Sequence, residues 1–352
     1  MKNDKVFGVD AVLLTDSKLR AYFTGFRSSL GFLAILPEGM TLFTDNRYLE
    51  GAKTALNGKV NVRLGANATG VLNLIKESGA KTLGYVGSAT LVPEYEVLKE
   101  SGLDLVDVTR EVEAKMAVKT EKELATIEKA CNIIEDVYAE ILDYLTVGVT
   151  EQEVANEMEY RFRKHGASDR SFETIAAFGE NAAVPHHESG ERQLKEGDVV
   201  LLDFGCVYKG YCSDMTRTFV FGTPSEEFIK DYNAVLGAHL VAADGICAGM
   251  TGKEADALAR NYLKERELDT LFTHSLGHGI GVNIHEFPRL TPNGETALSG
   301  GMVFSIEPGI YKPGKYGIRI EDTVTLAGGK VKSYMKQPKS LLFRKDGKWQ
   351  YQ

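Results

Sequence analysis

The chain has 352 residues, more than one hydrophobic core usually supports, so we expect two domains. Its formal net charge of −8 at pH 7, with no run of Lys or Arg, argues against nucleic acid as a partner. No stretch approaches the roughly 20 apolar residues that a membrane helix needs, and residues 1–6 contain no apolar core of signal-peptide length. The four cysteines show no Cys-x-x-Cys spacing, so we expect reduced thiols and a cytoplasmic enzyme.

The first third of the chain alternates strand-like and helix-like patterns. Apolar β-rich runs predict strands at residues 11–14, 31–36, 40–44 and 82–86. Helical patterns end near Leu56, cover residues 71–78 and begin again at Pro93. This alternation predicts a small α/β domain.

Near residue 120 the pattern changes to long amphipathic helices. Apolar residues recur at three and four positions from Leu124 onward, after a capping box formed by Thr120 and Glu123. We therefore expect one domain at residues 1–120 and a second at 121–352. The second reads as helix, helix, hairpin, twice over, which predicts two similar halves around a pseudo-twofold axis.

Two acidic residues lie in apolar, strand-like sequence at the first of these hairpins. Asp203 ends one strand and Asp214 begins the next, with Gly205 and Gly210 providing turn residues between them. A carboxylate in a core strand is costly unless it is paired, hydrogen-bonded or bound to metal. Two interpretations would offset this cost. In the first, one Asp caps a turn and the other forms an ion pair with Arg217; in the second, both bind a metal ion.

The C-terminal part adds a His- and Gly-rich stretch and a second acidic hairpin. His274 and His278 lie in the stretch, which leads to His285. Glu307 and Glu321 then occur in short strand-like runs separated by a Pro- and Gly-rich turn. Two acidic hairpins with histidines between them indicate a metal site in which oxygen ligands dominate.

Five residues in this order and context resemble the ligand set of the pita-bread metallopeptidases, which include methionine aminopeptidases, aminopeptidase P and prolidase. They are Asp203, Asp214, His278, Glu307 and Glu321. The resemblance implies an α/β (α+β) protein, with a small N-terminal α/β domain of the creatinase/prolidase type followed by a pita-bread catalytic domain. Residues 22–26 and 44–48 resemble the N-terminal domain of prolidases and aminopeptidase P, which methionine aminopeptidases lack.

Charge argues for two metal ions in such a site. Four carboxylates carry about −4, which two divalent ions would neutralise. Oxygen-rich ligation with one imidazole suits Mn²⁺, Co²⁺ or Fe²⁺ better than a structural zinc, and of these we expect Mn²⁺. The resemblance implies that Asp203 binds one ion, that His278 and Glu307 bind the other, and that Asp214 and Glu321 bridge both. Glu307 would also move a proton to the leaving nitrogen.

The resemblance also implies residues that act on the substrate. His186 and His285 are expected in the catalytic pocket. His187 is expected to point away from it, and His165 and His239 are expected to be surface or packing residues. The residues expected to bind substrate are His274, Arg289, Tyr311 and Arg319. Two alternatives stay open: Arg319 could pair with Asp322 or with a site carboxylate, and Arg289 could be a surface residue of a loop.

The function that these features favour is hydrolysis of the Xaa-Pro bond of dipeptides. Proline removes the amide N–H and fixes φ, so this bond needs a dedicated enzyme. The alternatives are an aminopeptidase that acts on longer Xaa-Pro peptides and a pita-bread binding module without catalysis. We expect proline-containing peptides as partners and a homodimer in which the N-terminal domain of one subunit narrows the cleft of the other.

Overall fold

The computed structural model describes residues 5–65 and 67–352. The first four residues, which contribute to the expectation that no signal peptide is present, lie outside this part. The chain divides into two compact units, Met1–Lys115 and Met116–Gln352. A domain boundary at about residue 120 remains our proposal. Within residues 5–65 and 67–352, none of the helices combines the length and apolar character needed to cross a membrane.

The first unit is built on a six-stranded mixed sheet in the order β4-β3-β2-β1-β5-β6. Its strands are β1 (Ala11–Leu14), β2 (Phe32–Leu36), β3 (Gly39–Thr44), β4 (Asn61–Leu64), β5 (Thr82–Tyr85) and β6 (Asp104–Asp107). The helices are α1 (Ser17–Thr24), α2 (Leu49–Leu56), α3 (Ala68–Glu77), α4 (Val92–Lys99) and α5 (Thr109–Ala117), whose last residues belong to the second unit. Leu13, Ala34, Ile75 and Leu83 pack in its core.

The sequence patterns missed four elements of this unit, α1, α5, β4 and β6. The two strands are the edges of the sheet and are largely exposed, so they lack the apolar character that marks a buried strand. Helix α1 is short and is capped by Asp16, whose carboxylate accepts hydrogen bonds from the backbone N–H groups of Lys18 and Leu19. A cap without a long periodic pattern is a weak signal in sequence.

The second unit contains four complete α-helices, two short 3₁₀ helices (Gly179–Ala183 and Asp269–Leu271) and fifteen strands among its described residues. The helices are α6 (Glu121–Tyr144), α7 (Glu151–Lys164), α8 (Glu226–Gly245) and α9 (Gly252–Lys264). The first group of strands is β7 (Asp169–Arg170), β8 (Ile175–Phe178), β9 (Asp198–Phe204), β10 (Cys206–Tyr208), β11 (Tyr211–Cys212) and β12 (Met215–Phe221). The second group is β13 (Gly277–Gly279), β14 (Glu286–Leu290), β15 (Val303–Ile306), β16 (Gly309–Lys312), β17 (Tyr316–Arg319), β18 (Asp322–Ala327), β19 (Lys330–Ser333), β20 (Leu342–Lys345) and β21 (Lys348–Tyr351).

Two helix pairs each cover one sheet. Helices α6 and α7 pack over the sheet β21-β20-β12-β9-β8, and their Ile134 and Phe162 share one core with Phe204 and Phe219 of the sheet. Helices α8 and α9 contribute to a second core that includes residues of the sheet β14-β13-β15-β18-β19. The helices begin where the capping signals predict: for α6, the Glu123 carboxylate accepts from the N–H of Thr120 at 2.9 Å. The expected order of helix, helix, hairpin is present in both halves.

Each acidic hairpin is interrupted by a smaller one. Strands β9 and β12 pair so that Asp203 lies opposite Thr216, while β10 and β11 leave this ladder and join another sheet. Asp214 therefore lies just before β12 and is not the direct cross-strand partner of Asp203. In the second half, β15 and β18 pair up to Ile306 and Asp322, and the hairpin β16-β17 lies between. Glu307 and Glu321 come directly after and directly before these strands.

Candidate active site

A cavity of about 770 Å³ in the second unit collects most of the residues that the sequence analysis singled out. Nine of them line it: Asp203, Asp214, His186, His274, His278, His285, Arg289, Glu307 and Arg319. The other two are buried beside it: Glu321 accepts a hydrogen bond from Thr216, and the Tyr311 hydroxyl accepts one from Arg319. The two acidic hairpins and the β13-β14 segment thus meet at one place.

Carboxylates from both hairpins surround one imidazole. One ligand atom each of Asp214, His278 and Glu321 lies within 4.8 Å of the others. The His278 Nε2 atom is 3.6 Å from Asp214 Oδ2 and 3.4 Å from Glu307 Oε1. Asp214 and Glu321 are only 4% and 1% exposed. This is the geometry of a group that can hold a small cation.

Two carboxylate oxygens in this cluster are buried without a hydrogen-bond partner among the described residues. Glu321 Oε2 accepts from the Thr216 hydroxyl at 2.6 Å, which leaves Oε1 unsatisfied. Asp203 Oδ2 accepts from Arg319 at 2.6 Å, which leaves Oδ1 unsatisfied. A buried acceptor without a donor is costly, and a cation would compensate it. The donor set of carboxylates plus one imidazole fits a divalent ion.

Electrostatics point in the same direction. Burial, together with repulsion from the neighbouring carboxylates, raises the pKa of Asp214 and of Glu321 well above their ordinary values. Burial raises the pKa of Glu307 to about 8. Burial and the nearby His285 lower the pKa of His278 to about 3, so its ring is neutral, as a metal ligand must be. Without a cation this site resists full ionisation.

The metal-free protein is therefore expected to lose stability as the pH rises from 6.5 to 8. Glu307 has an ordinary pKa of 4.5 and a folded-state pKa of about 8, so in this range the folded chain holds more protons than the unfolded chain. The stability linked to that proton is complete below the ordinary pKa and is lost by about pH 8. The raised pKa values of Asp214 and Glu321 add to this loss. Below the ordinary histidine pKa of 6.5, the depressed pKa values of His274 and His278 act in the opposite sense.

Thermal melting of chelator-treated protein measures this effect. The melting temperature should fall between pH 6.5 and pH 8, and saturating Mn²⁺ should remove most of the slope. A melting temperature that is constant or rises over this range without metal would contradict the prediction.

Arg319 fixes one edge of the carboxylate cluster. Its guanidinium donates to Asp203 Oδ2 at 2.6 Å, to the Tyr311 hydroxyl at 2.5 Å and to Thr216 Oγ1 at 3.0 Å. The Tyr311 hydroxyl also lies 2.9 Å from His274 Nε2. The two open interpretations of Arg319 are thus resolved: it pairs with a site carboxylate, and its pairing with Asp322 is wrong.

The alternative explanation of the first hairpin as an Arg217 ion pair is also wrong. Arg217 donates to Asp322 at 2.9 Å and to the backbone oxygen of Glu321 at 2.6 Å. These partners lie in the second half of the unit, so neither Asp203 nor Asp214 is neutralised by Arg217.

Two imidazoles and one guanidinium are exposed on the cavity wall: those of His186, His285 and Arg289. The His285 ring packs edge-on against His278, with centroids 4.3 Å apart. Arg289 lies opposite His278 in the β13-β14 ladder. No hydrogen bond or ion pair holds its guanidinium within the part of the chain that the structure describes. These groups are available to a substrate.

The remaining three histidines each contact a carboxylate. His187, expected to point away from the pocket, lines the same cavity, and its Nε2 atom lies 2.8 Å from the buried Glu151. His165 contacts Glu140 at 2.8 Å, and His239 is buried in α8, with its Nε2 atom 3.8 Å from Asp322. His165 and His239 thus have the packing roles expected of them.

Three buried hydroxyl groups that support the site residues were not predicted from the sequence. Thr216 donates to Glu321 at 2.6 Å, and Ser305 donates to Glu307 at 2.9 Å. Thr323 donates to the backbone oxygen of Asp214 at 2.7 Å. Each hydroxyl residue lies two positions from a site carboxylate in sequence. The period of two in a strand places such residues on one face and could have indicated them.

The fold and this cluster define a metal-dependent enzyme with two similar halves. Residues 125–327 match the model of metallopeptidase family M24, and residues 5–115 match the Creatinase/Prolidase N-terminal domain. The chain belongs to metallopeptidase family M24. The predicted resemblance and fold class are therefore confirmed, and a divalent metal is the cofactor that this family implies.

Similar proteins cover almost the full length of the chain. The structure of a Xaa-Pro dipeptidase from Bacillus anthracis has a TM-score of 0.91 and 38% identity, with 96% of each chain covered. A Xaa-Pro dipeptidase from Pyrococcus furiosus is 36% identical over 338 residues, 95% of both chains. The structure of an X-Pro aminopeptidase from Thermotoga maritima has a TM-score of 0.88 and 32% identity, and the match covers 96% of this chain and 98% of that one.

Proposed function

We propose that this protein is a Xaa-Pro dipeptidase that uses two divalent metal ions. The observation that carries the proposal is Arg289, an exposed guanidinium on the wall of the cavity that holds the carboxylate cluster, opposite His278. The dipeptidase relatives from Bacillus anthracis and Pyrococcus furiosus support it.

We propose that each of the five candidate ligands binds either one of the two ions or both of them. Asp203 would bind one ion, His278 and Glu307 the other, and Asp214 and Glu321 both. Two ions balance the four carboxylates, and Mn²⁺ suits the oxygen-rich set best. When bound, such ions provide Lewis-acid catalysis and an activated water molecule.

The chain's own groups prepare the site for this reaction. Arg319 holds Asp203 in place, and Ser305 holds Glu307 through its hydroxyl. Glu307, a carboxylate at the cavity wall, is proposed to take up a proton and deliver it to the leaving proline nitrogen. His186 and His285 are exposed on the same wall and can donate hydrogen bonds to the oxygen that gains charge at the scissile carbonyl.

Arg289 would determine the selectivity for substrate length. A dipeptide ends at its proline, so its carboxylate lies beside the scissile bond. A guanidinium presents a planar fork of donors that matches a carboxylate. A longer peptide has an amide at this point and gains little from the charge. Arg289 would therefore favour dipeptides.

Replacement of Arg289 by alanine is expected to lower kcat/KM for a Xaa-Pro dipeptide by about 10- to 150-fold. This corresponds to the roughly 1.5–3 kcal/mol of a hydrogen bond to a charged group. Turnover of the matching Xaa-Pro-Yaa tripeptide should be nearly unchanged. Steady-state kinetics on the two substrates measure both effects.

The matched control for this prediction is Arg170→Ala. Arg170 lines the same cavity, but both oxygens of Glu159 accept from its Nη1 atom at 2.9 Å. Its removal should leave the ratio of dipeptide to tripeptide turnover unchanged. Equal losses on both substrates in Arg289→Ala, or a wild-type preference for the tripeptide, would favour the second candidate.

That second candidate is a Xaa-Pro aminopeptidase acting on longer peptides. It is supported by the similarity to the Thermotoga maritima X-Pro aminopeptidase and by a cavity of about 770 Å³, which has room beyond a dipeptide. Both candidates share the metal site and differ in what lies beyond the proline.

A homodimer and a cytoplasmic location complete the proposal. Both rest on the resemblance and the sequence features described above. In the dimer, the N-terminal domain of one subunit would narrow the cleft of its partner. Light scattering should report twice the monomer mass for the active species, and a fully active monomer would refute the dimer.

A further inference from the structure

A buried ion pair packs against the turn of residues 281–285, which carries His285. Lys119 Nζ donates to Glu286 Oε1 at 2.7 Å, and the two side chains are 1% and 8% exposed. Lys119 comes just before the first turn of α6, and Glu286 begins β14 immediately after His285. A buried ion pair is seldom more stabilising than an apolar pair of the same volume. Its placement therefore suggests a role other than stability.

The Glu286 carboxylate is the centre around which the turn is built. Its Oε2 atom accepts from the backbone N–H of Asn283 at 3.3 Å, and the N–H of Gly281 donates to the oxygen of Asn283 at 3.0 Å. A Cβ atom at Gly281 would come within 2.2 Å of Glu286 Oε1. The turn from Gly281 to His285 is thus closed against this carboxylate, and any side chain at position 281 would have to displace it.

Backbone hydrogen bonds connect both segments that carry the pair to neighbouring parts of the unit. The backbone N–H of Lys119 donates to the oxygen of Gly301 at 2.9 Å. The N–H of Cys212 donates to the oxygen of Gly281 at 2.7 Å, which connects the turn to a residue two positions before Asp214. A displacement of the Glu286 carboxylate would therefore be transmitted to His285.

We infer that Lys119 and Glu286 are positioning residues, whose buried ion pair holds the 281–285 turn and thereby places the His285 ring against His278 on the cavity wall. This inference rests on the proposed function, in which His285 acts on the substrate. The pair itself touches no substrate.

The test replaces both charges together, because the loss of one partner leaves the other buried and unpaired. In Lys119→Met/Glu286→Leu the volume is kept, but the acceptor for the Asn283 N–H is lost. The control is Arg161→Met/Glu140→Leu, which removes the ion pair between α6 and α7. If the first double variant fails to fold, Glu286→Asp keeps the charge, withdraws the carboxylate by one methylene, and is judged by the same measurements.

We expect the Lys119/Glu286 double variant to keep its metal content and KM and to lose about 10- to 100-fold in kcat on a Xaa-Pro dipeptide, since misplacement of a catalytic group is costly. In a His285→Ala background the same double change should lower kcat by no more than about twofold. The control should retain wild-type kcat. An equal loss in both backgrounds, or no loss at all, would overturn the inference.

Imidazole NMR signals give a readout that needs no activity. The His285 signal, identified by its disappearance in His285→Ala, should shift or broaden in the Lys119/Glu286 double variant, while those of His165 and His187 stay in place. If the wild type does not cleave Xaa-Pro dipeptides, the proposed function fails, and this signal still decides the inference. An unchanged His285 signal would overturn it.

Discussion

Asp214→Asn is expected to lower kcat/KM about a thousandfold, the size of effect expected when Lewis-acid catalysis worth several kcal/mol is lost. Asp214 is buried, and its ligand atom lies within 4.8 Å of those of His278 and Glu321. An amide in its place keeps the shape but removes the charge that would be shared between two cations. Elemental analysis after Mn²⁺ loading should give less than the two ions per chain expected for the wild type.

The same substitution should not destabilise the metal-free protein. Burial and the neighbouring carboxylates oppose ionisation of Asp214, so a neutral amide relieves repulsion at pH 8. Added Mn²⁺ should raise the melting temperature of the wild type far more than that of the variant, since a ligand that binds only the folded state stabilises it. A variant that binds two ions and is fully active would contradict the proposed role.

The matched control is Asp231→Asn. Asp231 is also a buried carboxylate in the second unit, but it contacts Lys312 and accepts from the Tyr316 hydroxyl at 2.8 Å. Its neutralisation should lower the melting temperature without metal, because Lys312 loses one of its two carboxylate partners and keeps only Glu227, and should leave the response to Mn²⁺ intact.

His285→Ala is expected to lower kcat by about 10²- to 10⁴-fold while the metal content stays at the wild-type level. The His285 side chain is exposed in the cavity and packs against the His278 ring, but it does not belong to the cluster of Asp214, His278 and Glu321. Its proposed partner is the charge that develops on the substrate. Stopped assays and elemental analysis on the same preparation separate catalysis from metal binding.

His165→Ala is the control for this second prediction. His165 ends α7 and contacts Glu140, so it should affect stability slightly and kcat not at all. If His285→Ala loses metal in proportion to activity, His285 supports the metal site and has no separate catalytic role.

The sequence predicted the helices of the second unit because their signals are local. Thr120 and Thr150 each form a capping box with a glutamate three residues later, and long apolar stripes follow. The exposed edge strands β4 and β6 carry no such signal. The interruption of the first acidic hairpin was also missed, because β10 pairs with the distant strand β7 as well as with β11.

The candidate ligands could be predicted because acids are unusual in apolar strands. The ion-pair partners of these acids and of the nearby arginines could not be predicted, since the paired residues are far apart in sequence. Arg319 and Asp203, like Arg217 and Asp322, are brought together only when the two halves of the unit meet. Arg217 follows Asp214 by three residues, and Arg319 precedes Asp322 by three residues. The local sequence therefore suggests an ion-pair partner for each arginine that the structure does not contain.

The most direct test of the account is hydrolysis of a Xaa-Pro dipeptide and of its Xaa-Pro-Yaa counterpart by metal-stripped wild-type protein titrated with Mn²⁺. We expect no turnover without metal, activity that rises until two ions are bound per chain, and a higher kcat/KM for the dipeptide. Saturation at one ion per chain would contradict the dinuclear site. Absence of Xaa-Pro cleavage at any metal loading would contradict the proposed function itself.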